Sequence, residues 1–148
     1  MAYAYNSRIF SFYLRCLSCW LHDTLFAATY RKEGDTVKKV MLLASEDMCE
    51  ILRAALDDKY ITLPCSDPAA GGSFLGQNPD ALILDLFLPG TDGMAFLKAH
   101  AADLPPAVMA VSRFFSDELL QELEALGVSS VILIPCTLSY LRDQLAKH

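Results

Sequence analysis

The sequence predicts an α/β fold in which helices cover both faces of a five-stranded parallel sheet. Five short apolar runs recur along residues 40–134, and each is followed by a segment whose apolar residues fall on one side of a helix. The runs are apolar at successive positions, which is typical of parallel strands buried on both faces. Right-handed crossovers between such strands distribute the helices over the two faces.

Length, charge and cysteine content agree with a single globular domain of this class. The chain has 148 residues, of which 53% are hydrophobic and 20% charged, and this is enough to bury one core. Its formal net charge of −6 and its scattered Lys and Arg residues argue against a nucleic-acid-binding surface, which needs clustered cations. The odd number of cysteines, five, favours a reducing cytoplasm over a disulfide scaffold.

The first two strands are predicted at residues 40–44 and 60–65. Ser45 follows the first strand as the N-cap of a helix, and two carboxylates lie in the first turn of that helix. Pro64 has no N–H to donate, so the second strand is expected to lie at an edge of the sheet or to end there. The glycines and prolines of residues 66–79 predict a short helix at most.

The third strand, residues 81–85, belongs to the stretch "ALILDLFLPGTDG" and ends on one carboxylate, Asp85. The residues behind it have turn chemistry. We interpret Asp92 and Gly93 as a turn that caps the next helix rather than as catalytic groups. Two prolines end that helix, "MAFLKAHAA".

The last two strands are predicted at residues 107–112 and 130–134. A helix capped by Ser116 and stopped at Gly127 lies between them, and Thr137 caps the final helix. The carboxyl ends of the strands meet at one edge of the sheet, where folds of this class bind ligands. Asp85 is therefore expected at the ligand edge.

Residues 1–36 are organised differently and are predicted to be a helical extension ahead of a domain at 37–148. Polar residues at spacings of three and four form one stripe on an otherwise apolar helix. Charges interrupt every twenty-residue apolar run, so a membrane span is not expected, and a clean signal-peptide core is absent from this segment. Four roles are open: packing on the domain, pairing of two copies in a homodimer, an interfacial helix, and a non-native origin with Val37 as the true start.

From about Val37 to His148 the chain resembles the receiver domain of bacterial two-component response regulators, a flavodoxin-like phosphoacceptor module. The stretch "DLFLPGTDG" is similar to the family's pattern of Asp, two variable residues, an apolar residue, Pro, two variable residues, Asp and Gly. The order of the elements, Ser112 at the end of the fourth strand and Pro135 after the fifth also agree. The resemblance implies a cytoplasmic, bacterial, non-enzymatic module of a phosphorelay, in which Asp85 accepts a phosphoryl group.

The resemblance also implies partners for that acceptor, and two of them are altered. The family has an acidic pair at the end of the first strand to hold Mg²⁺, and a Lys at the end of the fifth to pair with the phosphoryl group. Here the acidic pair falls on Ala44 and Ser45 or, with a slip of one, on Ser45 and Glu46. The Lys position holds Ile134, which cannot neutralise a phosphoryl oxygen.

Two interpretations of Asp85 follow, and both are kept. In the first, Asp85 is a phosphoacceptor that works with the Ser112 hydroxyl and with Mg²⁺ bound weakly by Asp85 and Glu46. In the second, the chain is a phosphorylation-independent pseudo-receiver whose work is protein binding. The partner of the Ser112 hydroxyl is a separate question, and both the phosphoryl group and a backbone carbonyl are open. A flavodoxin-like flavin binder is a weaker alternative, disfavoured by the acidic, Gly-poor loop after the first strand.

The resemblance names two kinds of protein partner. A sensor histidine kinase or a phosphotransfer protein would donate the phosphoryl group, and a downstream protein would receive the signal, since no output domain follows His148 unless the sequence is a fragment. The expected partner surface is the helix, strand and helix from residue 117 onward. Phe114 and Phe115 either anchor a partner there or roof the core, and Val131 takes the place of the family's switching aromatic.

Overall fold

The predicted five-stranded parallel sheet is confirmed. The computed structural model describes residues 37–88 and 90–148, so the predicted helical extension at 1–36 lies outside the described residues. Neighbouring strands are all parallel, and their order is β2-β1-β3-β4-β5, with Pro64 on the edge strand as predicted. The strands are β1 (Lys39–Leu43), β2 (Ile61–Cys65), β3 (Ala81–Asp85), β4 (Ala107–Ser112) and β5 (Ser130–Leu133).

Within the described part of the chain, five helices connect or follow the strands, and most begin where the sequence predicts. Side chains at the N-caps Ser45, Asp92, Ser116 and Thr137 each accept a backbone N–H of the following first turn. Such caps satisfy N–H groups that have no partner within the helix. The helices are α1 (Glu46–Leu56), α2 (Gly71–Leu75, after a 3-10 turn at Pro68–Ala70), α3 (Gly93–Ala99), α4 (Asp117–Ala125) and α5 (Leu138–Ala146).

The sheet separates two apolar cores because successive strand residues point to opposite faces. Val40 and Leu42 of β1 pack with α1 and α5, whereas Met41 and Leu43 pack with α2, α3 and α4. Each fully buried Leu contributes roughly 1.5–3 kcal/mol relative to an exposed one. The two cores hold the strand ends at one edge in fixed register.

The structure differs from the sequence prediction in detail. The sequence pattern places Leu119, Leu120, Leu123 and Leu126 on one stripe of the helix before Gly127. In the structure Leu123 is buried, Leu119 and Leu126 pack partly against the core, and Leu120 is 36% exposed. Gly127, with φ +83, ends the helix as predicted. None of the helices in the described residues is long and apolar enough to cross a membrane.

Candidate functional site

Asp85 lies at the carboxyl end of β3, the third and central strand of the sheet. Its side chain is half-buried, and Oδ1 accepts the Phe87 backbone N–H at 3.0 Å. The Leu86 N–H next to it donates to the Val111 carbonyl of β4 at 3.0 Å, which fixes the strand end. The carboxylate is thus held at the ligand edge of the sheet.

A cavity of about 460 Å³, here called the Asp85 cavity, opens beside this carboxylate. It lies between α1 and α5, over the ends of the strands. Asp85 and Arg113 are the charged side chains that line it within the described residues. The other lining residues are Ala44, Met48, Ile51, Leu52, Ile83, Val111, Ile134, Pro135, Cys136, Leu138 and Leu141.

The two altered positions form walls of this cavity. Ala44, at the end of β1, is 1% exposed, and Ile134 is half-buried against the core that α1 and α5 share. A methyl and a sec-butyl group therefore stand where the resemblance implies a carboxylate and an ammonium. The surroundings of Asp85 favour apolar contact over charge neutralisation.

The side chains near Asp85 do not fit the Mg²⁺ site that the resemblance implies. Mg²⁺ needs near-octahedral oxygen ligation. Within the described residues, no group of three or more His, Cys, Asp or Glu side chains could hold a metal ion. Glu46, the second expected ligand, lines a different cavity, of about 260 Å³, together with Glu50 and Arg53. Weak Mg²⁺ binding by Asp85 and Glu46 stays a prediction.

Ser112, the expected phosphoryl contact, has its hydroxyl engaged by the backbone. The residue is 1% exposed, and its Oγ donates to the Phe114 carbonyl at 2.6 Å and accepts the Phe114 N–H at 3.1 Å. Of the two partners left open by the sequence, the backbone carbonyl is the one present. A phosphoryl contact stays a prediction and would require this hydroxyl to leave Phe114.

Asp92 and Gly93, the other marked pair of the motif, are fixed by the fold. Asp92 Oδ1 accepts the Met94 N–H at 2.9 Å and caps α3. A Cβ at Gly93 would lie 2.8 Å from Leu86 Cα and 2.9 Å from the Asp85 carbonyl oxygen, closer than any side chain fits. The interpretation of this pair as a turn and cap is confirmed.

Two thiols near the ends of the strands have different environments. Cys49 is buried beneath the end of β1, where Sγ donates to the Leu42 and Ala44 carbonyls at 3.6 and 3.5 Å. Burial raises the pKa of the Cys49 thiol above its ordinary value, so little nucleophilic thiolate forms. Cys136 lines the Asp85 cavity and is exposed. The exposed thiol is a chemical reporter for the cavity.

The expected partner surface carries exposed apolar side chains. Phe114 is 64% exposed, and on the edge strand β5 Leu133 is 58% and Val131 37% exposed. Phe115 instead packs partly against the core beneath α4. Of the two aromatics, Phe114 has the exposure of an anchor, whereas Phe115 helps to roof the core.

The sequence pattern does not predict the apolar cavity or three of its lining residues, Ile51, Arg113 and Cys136. In the sequence, Ala44 and Ile134 indicate only the loss of charge from a site, whereas in the fold these two side chains line one apolar cavity. The signal was present in Ile51, an apolar residue on the outer side of α1, close in sequence to Met48.

Comparisons with known proteins support the fold. No protein-family model matches the chain. A protein-glutamate methylesterase/protein-glutamine glutaminase 2 from Pseudomonas syringae pv. tomato is 30% identical over 104 residues, which cover 66% of this chain and 29% of that protein. The chain therefore spans less than a third of the length of this curated relative.

Solved structures of receiver domains are similar throughout their length. The signal receiver domain of a LuxO repressor protein from Vibrio parahaemolyticus has a TM-score of 0.69 and 22% identity, covering 76% of this chain and 90% of its own. Chemotaxis protein CheY4 of Vibrio cholerae has a TM-score of 0.69 and 21% identity, with coverage of 76% and 98%. The receiver domain of Klebsiella pneumoniae RstA has a TM-score of 0.65 and 22% identity, with coverage of 75% and 97%. The described domain thus has the receiver fold, as the sequence predicts.

Proposed function

We propose that this receiver-fold domain is a signalling module that acts by binding another protein and does not need phosphorylation of Asp85. The observation that carries the proposal is the wall of the Asp85 cavity, where Ala44 and Ile134 replace a carboxylate and an ammonium. Phosphoryl transfer spreads negative charge over oxygens that fixed cations must stabilise. The one cation that lines the cavity within the described residues, Arg113, is exposed to solvent, which screens its charge.

Binding, rather than catalysis, is supported by the surface of the same domain. Phe114, Val131 and Leu133 expose apolar area next to the ligand edge, on the flank formed by α4, β5 and α5. Exposed aromatic and aliphatic groups of this kind are common anchors of protein interfaces. A downstream protein, or a second copy of this chain, is the partner that fits such a flank.

A second candidate function is phosphoacceptance, with a histidine kinase or a phosphotransfer protein as the donor. It is favoured by the position of Asp85, which stands half-buried at the carboxyl end of a central strand with one oxygen free of the Phe87 N–H. A carboxylate there can attack phosphorus if the donor or the solvent supplies the missing cations.

Incubation with acetyl phosphate and Mg²⁺, read by intact mass, separates the two candidates. We expect no added phosphate on the natural chain. Asp92→Asn is the matched control, because it removes a carboxylate from the same loop while keeping an oxygen for the α3 cap. A phosphate that survives in Asp92→Asn and disappears in Asp85→Asn supports the second candidate and contradicts the first.

The binding flank is tested with two equally exposed phenylalanines. Phe114 and Phe87 are each 64% exposed. Phe87 lies in a short antiparallel ribbon after β3, in which Phe87–Leu88 pairs with Thr91–Asp92, and is distant in sequence from α4, β5 and α5. We measure binding to a partner protein by capture, and self-association of the chain by sedimentation. We expect Phe114→Ser to abolish the interaction that the natural chain shows, and Phe87→Ser to leave that interaction unchanged. Equal behaviour of the two variants would remove Phe114 from the interface.

A further inference from the structure

We propose that the Asp85 cavity binds a small molecule that combines an apolar body with a cationic amine. This inference rests on the proposed function, since a domain that signals without phosphorylation leaves the Asp85 carboxylate free to pair with a ligand. It adds a ligand class to a site that the fold places at the edge where such sheets bind small molecules.

The size and lining of the cavity suit a small organic ligand. Its volume of about 460 Å³ lies in the range of roughly 300–1,000 Å³ that is common for small-molecule sites. Mostly apolar walls with few polar groups are the usual composition of such sites. Ala44 keeps the floor of the cavity open, and Ile134 and Leu141 give it apolar sides.

The charge of the ligand follows from the environments of the two charged lining residues. Asp85 is half-buried, and its Oδ1 has the Phe87 N–H as donor, so an ammonium can donate to the second oxygen. Arg113 is exposed, and water and salt weaken its attraction for an anion. A cation paired with Asp85 is therefore favoured over an anion paired with Arg113.

The cavity has an accessible rim. Ile51 is 53% and Leu138 46% exposed although both line the cavity, and Cys136 beside them is also exposed. A ligand can reach Asp85 between α1 and α5 without unfolding either helix. Its apolar body would cover these rim side chains, and this burial adds to the affinity.

Three probes of the same shape test the charge preference. The purified full chain is titrated by calorimetry with 2-naphthylmethylamine, 2-naphthalenemethanol and 2-naphthoate, without any phosphodonor. We expect the amine to bind about tenfold more tightly than the alcohol and the acid, as one charge-assisted hydrogen bond at a partly exposed site allows. The amine should also slow maleimide labelling of Cys136, read by peptide mass.

Substitutions inside and outside the Asp85 cavity test whether the amine binds there. In Asp85→Asn the amine should fall to the affinity of the alcohol, whose own binding should not change. Ile51→Lys should weaken amine binding by about tenfold or more through lost apolar contact and like charge. Ile61→Lys is the matched control, because Ile61 is 47% exposed and lies outside the cavity.

The outcomes are distinct. No binding of any probe, equal affinities for the three, or an amine preference that survives in Asp85→Asn overturns the inference. Tightest binding of the acid also overturns the inference, because the ligand would then pair with Arg113 instead of Asp85. The phosphorylation experiment is independent of this titration. Absence of both phosphate and probe binding defeats the inference alone, whereas phosphate on Asp85 together with amine binding defeats the proposed function alone.

Discussion

The loop after β3 and the ends of β1 and β5 meet at the same edge of the sheet, but they differ in what determines their residues. In the loop, Gly93 has no room for a Cβ and Asp92 caps α3. At the strand ends, Ala44 and Ile134 are wall residues of an apolar cavity. The folded domain needs Asp92 and Gly93 whether or not Asp85 is phosphorylated. Charged side chains in place of Ala44 and Ile134 would serve only phosphoryl transfer.

Most of the marked residues in the motif after β3 have a structural role. "DLFLPGTDG" is the most recognisable stretch of the chain, and backbone packing and helix capping account for Asp92 and Gly93. Asp85 itself accepts a local N–H, from Phe87. An intact motif is therefore strong evidence for the fold and weak evidence for phosphorylation.

The largest expected effect comes from returning charge to the strand ends. In the double variant Ser45→Asp with Ile134→Lys, Asp still caps α1 and the long Lys stem can follow the apolar wall. We expect acetyl phosphate with Mg²⁺ to label this variant at least about tenfold more than the natural chain, because the oxyanions gain a metal ligand and a cation. Intact mass measures the labelling, and adding Asp85→Asn is the control. If the double variant stays unlabelled, more than these two positions separates the site from an acceptor.

A second variant tests the claim that packing determines the loop. Gly93→Ala places a Cβ within 3 Å of Leu86 Cα and the Asp85 carbonyl, and should destabilise the domain by about 1–3 kcal/mol in urea unfolding. Gly72→Ala is the control, since Gly72 is exposed and the nearest neighbour of its added Cβ is a movable side-chain atom of His100 at 3.3 Å. Similar free energies of unfolding for the two variants would show that packing does not require glycine at position 93.

The cap of α3 should have a smaller effect. Asp92→Ala leaves the Met94 N–H without its acceptor and should lower the free energy of unfolding by about 1 kcal/mol. Asp92→Asn should lower it by only a few tenths of that amount, because asparagine caps nearly as well. Equal losses in the two variants would show that the charge of Asp92, rather than its cap, stabilises the loop.

The smallest effect concerns the thiol beneath the end of β1. Burial raises the pKa of Cys49 and of Cys65 in the folded chain. The unfolded chain then loses thiol protons first, so the free energy of unfolding should decline as pH rises above about 8.5 and stay level below it. Urea unfolding of Cys49→Ala across this range should give a shallower decline than that of the natural chain. If the decline of the unfolding free energy with pH were unchanged in Cys49→Ala, burial of the Cys49 thiol would not be its cause.

The sequence was sufficient for the fold because each element had its own local signal. Doubly apolar runs, N-caps such as Ser45 and Thr137, and the stop at Gly127 each act within a few residues. The cavity could not be predicted in the same way. It depends on how far α1 and α5 stand apart over Ala44 and Ile134, which is a tertiary distance. The hydrogen bond from the Ser112 hydroxyl to the Phe114 carbonyl likewise depends on the folded backbone.

Helix α5 belongs to two surfaces at once. Leu138 and Leu141 line the Asp85 cavity, while Tyr140 between them is exposed on the flank expected to bind a partner. If a small molecule and a protein partner both prefer one placement of this helix, each must raise the affinity of the other by the same factor. A measured affinity for the partner would thus depend on the concentration of the amine, and the chain would convert a chemical concentration into a binding equilibrium.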